Sequence, residues 1–125
     1  MNTGKFSPRS RLKSFKYAFR GLGSLLKFEH NSRIHLFAAI IVVILGIILK
    51  VSVTEWCILI LAIGFVFFAE LLNSSAEAFS DAVKPGWDEK IMKAKDYASA
   101  AVLVAAITSA VIGILIFLPR LILLF

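Results

Sequence analysis

Three long apolar runs with few charged residues dominate the pattern of hydrophobic and polar positions along the chain. These runs cover residues 34–49, 53–69 and 98–119. A helix needs roughly 20 residues to cross a hydrocarbon core of about 30 Å, and each run reaches that length with its flanking residues. The pattern therefore predicts three transmembrane helices, at about 32–50, 54–82 and 88–118.

The stretch before the first run has a different pattern, in which apolar residues recur at steps of three and four. They are Leu12, Phe15, Phe19, Leu22 and Leu26, and lysines and arginines occupy the other faces. This spacing predicts an amphipathic helix over about residues 9–28, preceded by a loose tail, that lies on an anionic membrane surface. A calmodulin-type target helix shows the same pattern and is the alternative.

The composition supports a membrane protein with a single domain over residues 1–125. Hydrophobic residues make up 59% of the chain and the mean hydropathy is +0.87, whereas soluble chains are roughly 45–50% apolar. Eight of the 14 lysines and arginines precede the first span and four lie between the second and third. By the positive-inside rule, we expect a cytoplasmic N-terminus and an external C-terminus in the cell membrane. The predicted fold class is an all-α membrane protein.

A row of polar residues follows the second apolar run. Glu70, Asn73, Ser74, Glu77 and Asp81 lie within roughly 100° of one another on a helix, in a stripe about 16 Å long. No lysine or arginine lies within the row, so ion pairs inside the helix do not explain it. Counting from the outer end of the span, we expect Glu70 just inside the inner hydrocarbon boundary and Asp81 in water. An ionisable group at such a depth is a functional candidate.

The next helix begins with lysines at positions 90, 93 and 95, opposite the acidic row. Carboxylates suit a divalent cation, and lysines with helix N-terminal amides suit a phosphate. Together they indicate phosphoryl transfer. The sequence contains no Walker A motif, so a P-loop enzyme is not expected. The alternative is that the acids and lysines only pair with each other across the hairpin.

Glu29 and His35 are two polar residues near the first span whose roles the sequence alone does not decide. Glu29 either pairs with Arg33 four residues later or reaches the acidic row at the same membrane face. His35 is expected to be an ordinary interfacial histidine, since the two histidines do not make a zinc site.

Local signals predict the helix ends and one packing surface. Ser32 and Thr54 are the expected N-caps of the first two spans, either Asp88 or Glu89 is expected to cap the third, and Pro119 is the expected end of the third span. Small residues repeat every four positions on the third span and predict close helix packing; they are Ala101, Ala105, Ser109 and Gly113.

Several of these segments resemble one known family, the small prokaryotic diacylglycerol kinases and undecaprenol kinases. The similar segments are Glu70-Leu-Leu-Asn73-Ser-Ser-Ala-Glu77 with Asp81, Ala94-Lys95-Asp96, Phe15-Lys-Tyr17-Ala-Phe-Arg20-Gly21, Glu29-His-Asn-Ser-Arg33 and Ile116-Phe-Leu-Pro-Arg120. The resemblance implies an ATP- and Mg²⁺-dependent lipid kinase, assembled as a homotrimer of chains that each have a surface helix and three spans. One departure is Ser75-Ala76, which lies off the acidic stripe.

The resemblance also implies residue roles. Glu70 would be the general base that takes the proton of the lipid hydroxyl, and Glu29 and Glu77 would coordinate the Mg²⁺ bound to ATP. The residues implied at the nucleotide are Tyr17, Asn73, Glu77, Lys95 and Asp96, with Asp81 at the edge of the site.

The expected partners are a membrane lipid alcohol, ATP and an anionic membrane surface, with no nucleic acid. Three segments look more like the undecaprenol branch of the family than the diacylglycerol branch: Arg33-Ile-His35, Glu55-Trp56 and the ending Phe117-Leu-Pro-Arg120. The alternative function is a small oligomeric transporter or channel that uses Glu70 as an intramembrane carboxylate.

Overall fold

The computed structural model describes residues 6–125, which form four helices in the order that the sequence predicts. The first five residues of the predicted tail lie outside this range. The helices are α1 (Pro8–Phe28), α2 (His30–Ile48), α3 (Val53–Val83) and α4 (Glu89–Leu124). The all-α fold class is thereby confirmed.

The first helix is amphipathic, as predicted. Pro8 stands in its first turn, where a missing N–H costs nothing. Its aromatic residues Phe15 and Phe19 are exposed along one side, whereas Leu25 is buried. Glu29 has an extended backbone and separates α1 from α2. This break turns the chain from α1 into the first apolar helix, α2.

The other three helices are each long and apolar enough to cross a membrane. Most of their large hydrophobic side chains are exposed in the single chain. In the most apolar 18-residue stretch of each helix, at most 22% of the residues are buried. Such a surface is stable only against lipid or other apolar protein surface. The chain is a membrane protein.

The closest packing joins α3 to α4. Ala105 is fully buried, and Ser109 Oγ donates a hydrogen bond of 3.0 Å to the carbonyl oxygen of Ala62. Ala105 and Ser109 belong to the predicted small-residue surface. This surface packs against α3, as small residues allow helices in a membrane to do. One buried apolar cluster lies here, around Val66, and a second lies at the other end of the bundle.

Three of the predicted helix ends are wrong, and the first two errors concern polar residues at helix N-termini. Ser32 is not an N-cap: α2 begins two residues earlier at His30, and Ser32 is fully buried inside the helix. The cap of α3 is Ser52 rather than Thr54. Ser52 Oγ accepts from the amide of Glu55, whose carboxylate accepts from the Ser52 amide, so two free donors are satisfied.

The predicted end of α4 at Pro119 is also wrong, because the helix continues to Leu124. Proline removes one backbone hydrogen bond and normally kinks or ends a helix. Here the next residue, Arg120, forms an ion pair with Glu55 at the start of α3, and Leu121 packs against the apolar cluster at that end. These tertiary contacts hold the last turn in place despite the proline.

The turn between α3 and α4 follows the prediction. Asp88 caps α4 by accepting from the amides of Lys90 and Ile91, and Lys84 donates to its other oxygen at 2.8 Å. The Lys84 ammonium and these amides lower the pKa of Asp88 below the ordinary 3.8. Gly86 has φ +116°, a conformation that glycine adopts without strain. This turn sets α4 beside the polar end of α3.

Candidate active site

The acidic stripe lies on one continuous helix, because α3 runs without interruption from Val53 to Val83. Exposure increases along it. Glu70 is only 3% exposed, Asn73 and Glu77 are half-buried, and Asp81 is exposed. The stripe therefore passes from the protein interior to water, in the order that the predicted membrane depth requires.

Glu70 has one basic neighbour among the residues described. His35 Nε2 on α2 lies 3.2 Å from Glu70 Oε1. The distance suits a hydrogen bond, but the oxygen lies off the direction in which the ring N–H would point, so the contact is not aligned as one. The carboxylate is held in the interior without a lysine or arginine within 4.0 Å in residues 6–125.

Four buried side-chain oxygens at this end of the bundle have no hydrogen-bond partner in the described chain. They are Ser32 Oγ, Glu70 Oε1, Asn73 Oδ1 and Ser74 Oγ. A buried polar group without a partner costs roughly 1–3 kcal/mol, and its presence in a folded protein needs an explanation. Several such groups on one face are typical of a site that is completed by a bound polar ligand.

The register of α2 against α3 places Ser32 in this group. The chain direction reverses between the two helices, and His35 meets Glu70. Ser32 lies three residues before His35 on α2, and Asn73 lies three residues after Glu70 on α3. In two antiparallel helices these two positions correspond to each other. Ser32 is predicted from the sequence as a cap and is therefore not among the candidate site residues named there. Its spacing of three from His35 was the available signal.

Lys95 and Asp81 form an ion pair that joins α4 to the end of the stripe, with 2.7 Å between Nζ and Oδ1. The alternative in which acids and lysines only neutralise each other holds for this pair, but it leaves Glu70 and Glu77 without a lysine partner in the part that the structure describes. Asp81 is 67% exposed in its side chain. Exposed pairs of this kind contribute about 0–1 kcal/mol, so a ligand phosphate can compete for Lys95.

Glu29 and Glu77 are both half-buried, and neither has a cationic partner within 4.0 Å in residues 6–125. Glu29 does not pair with Arg33, which removes one of its two interpretations. It lies where α1 ends, and α1 packs against both α2 and α3. No group of three or more histidine, cysteine or acidic side chains within the described range could hold a metal by itself.

Mg²⁺ commonly uses only one or two carboxylates and takes its other ligands from water and substrate phosphates. Two carboxylates without internal partners therefore fit ATP-bound Mg²⁺ by their donor chemistry. Whether Glu29 reaches the stripe stays a prediction.

The remaining two predicted nucleotide residues are exposed. Asp96 follows Lys95 on α4. Tyr17 lies on α1, where the guanidinium of Arg20 is 5.4 Å from the centre of its ring. Their roles at the nucleotide stay predictions.

Comparison with known proteins agrees with the resemblance. The model of the prokaryotic diacylglycerol kinase family matches residues 16–117. An undecaprenol kinase of Bacillus subtilis is 41% identical over 109 residues, which cover 87% of this chain and 89% of that protein. A diacylglycerol kinase of Synechocystis is 34% identical, over 88% of this chain and 63% of its own length. A diacylglycerol kinase of Escherichia coli K12 is 31% identical, over 80% of this chain and 82% of that protein. Because the family match covers more than half of α1, the acidic stripe and most of the three spans, the chain belongs to the prokaryotic diacylglycerol kinase family.

Proposed function

We propose that this protein transfers the γ-phosphate of ATP to the hydroxyl of undecaprenol in the cytoplasmic membrane. Membership of the family makes it a membrane lipid kinase, and a transporter or channel is not favoured. The choice of lipid is supported by higher identity to the relative named undecaprenol kinase, 41%, than to those named diacylglycerol kinase, 34% and 31%. The segments Arg33-Ile-His35 and Glu55-Trp56 point the same way.

The observation that carries the proposal is the buried carboxylate of Glu70 among side-chain oxygens without partners. In the proposed reaction, Glu70 accepts the proton of the lipid hydroxyl. The hydroxyl oxygen forms a bond to the γ-phosphorus, the bond from that phosphorus to the β–γ bridging oxygen breaks, and ADP leaves. A general base placed in this way contributes roughly 10²–10⁴-fold to a rate.

The other residues of the stripe bind the nucleotide in this proposal. Glu29 and Glu77 would hold Mg²⁺, which would neutralise charge on the ATP phosphates. Lys95 exchanges its ion pair with Asp81 for a phosphate oxygen, which costs little because that pair is exposed. The unpartnered Asn73 Oδ1 is an acceptor available to the nucleotide. Asp96 lies beside Lys95, and Tyr17 is assigned to the nucleotide base.

The proposed assembly is a homotrimer with a cytoplasmic N-terminus and an external C-terminus. Basic residues concentrated before α2 and between α3 and α4 support this orientation. The large apolar area that a single chain leaves exposed is compatible with helix packing between copies as well as with lipid. The surface helix α1 lies on the anionic inner leaflet.

A direct assay tests the proposal. Purified protein in liposomes receives γ-labelled ATP and Mg²⁺ with undecaprenol, with diacylglycerol, or with neither lipid. We expect label in undecaprenyl phosphate, at a higher kcat/KM than for phosphatidic acid formation. Label mainly in phosphatidic acid would overturn the choice of lipid, and label in neither lipid would overturn the kinase proposal itself.

A further inference from the structure

His35 has no role in the reaction proposed above, although it is the histidine next to the proposed base. It projects from α2 towards α3, with its side chain 23% exposed, and its Nε2 lies 3.2 Å from the carboxylate of Glu70. An isolated ionised carboxylate at the edge of the hydrocarbon is costly, so its one basic neighbour has a large effect on where the carboxylate lies.

The same imidazole lines a groove of about 230 Å³ between α2, α3 and α4. All other lining side chains are apolar or glycine, except Ser109, whose hydroxyl already donates to a backbone carbonyl. His35 is thus the one titratable residue in the lining and forms its polar end. A groove that is apolar along its length and polar at one end suits a lipid with a terminal hydroxyl.

The misaligned contact with Glu70 is informative in this setting. Catalytic hydrogen bonds are often long or poorly aligned in the absence of substrate and tighten in the substrate complex. A small rotation of the imidazole would direct Nε2–H at the carboxylate, which has three rotatable side-chain bonds and no aligned hydrogen bond on Oε1. A hydrogen bond that fixes the carboxylate would keep the base correctly placed relative to the reacting hydroxyl.

We propose that His35 is the positioning residue for Glu70, holding its carboxylate towards a lipid hydroxyl that arrives from the groove between α2, α3 and α4. This inference rests on the proposed lipid kinase function. His35 does not take the proton in the reaction. It donates a hydrogen bond to the group that does, so its loss slows phosphoryl transfer without weakening nucleotide binding.

The test compares His35→Ala with His35→Gln in the full-length protein in liposomes, using ATP, Mg²⁺ and undecaprenol. Glutamine keeps an N–H donor of similar reach, whereas alanine removes it. We expect His35→Ala to lower kcat about 10- to 100-fold, the effect of misplacing a reacting group by about 1 Å. The KM for ATP should change less than about twofold, and His35→Gln should recover most of kcat. His30→Ala, an exposed histidine on the same helix, is the matched control and should resemble wild type.

A double variant shows whether His35 acts through Glu70. If it does, His35→Ala should cause no further loss of kcat in a Glu70→Gln background. Should the alanine variant not fold, His35→Phe, which keeps a planar ring without a donor, replaces it.

Three results would overturn the inference while leaving the kinase function intact. These are an unchanged kcat in the alanine variant, equal losses in the alanine and glutamine variants, and full additivity with Glu70→Gln. A wild-type protein that labels no lipid would instead overturn the kinase function.

Discussion

Replacing Glu70 by glutamine separates a catalytic role of this residue from a structural one. Glutamine has nearly the same shape but cannot accept the proton from the lipid hydroxyl. The next acid along the stripe, Glu77, is seven residues away and therefore about 10 Å further along the axis of α3. It lies too far away to replace Glu70 as a base without a rearrangement of the helix.

The expected loss in kcat is about 10²–10⁴-fold, the usual contribution of a general base. At 1.36 kcal/mol per factor of ten, this corresponds to about 3–5 kcal/mol of transition-state stabilisation. Nucleotide affinity should change little, since the proposed metal and phosphate ligands are other residues. Initial rates with labelled ATP and undecaprenol give kcat, and titration with a fluorescent ATP analogue gives the affinity.

Stability should respond in the opposite direction. Glu70 is 3% exposed and has no lysine or arginine within 4.0 Å in the region that the structure covers. Placing a carboxylate away from water is unfavourable, by about 2.5–3.5 kcal/mol or more at the bilayer centre, so the neutral amide should leave the thermal midpoint unchanged or raise it. A residue whose main role is structural would show a lower midpoint.

Glu89→Gln is the matched control. This residue is an exposed acid in the first turn of α4, outside the proposed site. It should keep wild-type kcat. The reasoning about Glu70 fails if Glu70→Gln retains more than about a tenth of wild-type kcat. It also fails if activity and thermal stability fall together, because that would indicate a packing role.

Three further predictions concern the metal, the nucleotide and the packing. Glu77→Gln should raise the Mg²⁺ concentration needed for half-maximal activity, and an unchanged titration curve would count against metal ligation. Lys95→Met should raise the KM for ATP about tenfold or more, because a charge-assisted hydrogen bond of about 1.5–3 kcal/mol is lost. Asp81→Asn should raise the KM for ATP much less. Equal effects of the two variants would favour a purely structural ion pair. Gly46→Ala should destabilise the protein by about 1–3 kcal/mol, because the new Cβ would lie 2.5 Å from an indole ring of α3. Gly23→Ala on α1 meets no atom within 4 Å and should not destabilise it, and similar thermal midpoints for the two variants would refute the packing argument.

The helices and the acidic stripe could be predicted because both depend on residues near each other in sequence. A span is a run of about 20 apolar residues, and a stripe on one helix face follows from 100° per residue. The order from buried Glu70 to exposed Asp81 also followed from counting residues along α3. These features do not require knowledge of how one helix packs on another.

The parts that the sequence did not predict all depend on packing between helices. The contact of His35 with Glu70 and the burial of Ser32 both result from the register of α2 on α3, which no local pattern specifies. A serine before an apolar run suits a cap or a buried polar site equally well. The same holds for Pro119, where the ion pair of the next residue with α3 outweighs a local tendency to end the helix.

The depth of the polar groups is what makes this arrangement suitable for a lipid substrate. Asp81 lies about 16 Å further along α3 than Glu70, in water, whereas Glu70 is at the buried end of the stripe. A base at the position of Asp81 would act on a lipid hydroxyl only after the lipid had been partly drawn out of the membrane. Each exposed methylene costs about 0.8 kcal/mol, so exposing four would cost about 3 kcal/mol, as much as a base contributes at the lower end of its range. A base at the depth of Glu70 avoids that cost, and a soluble nucleotide could reach the half-buried Lys95 and Glu77 from the water side. In the proposed reaction, the burial gradient along one helix would thus bring a membrane-bound acceptor and a water-soluble donor together without removing either from its own solvent.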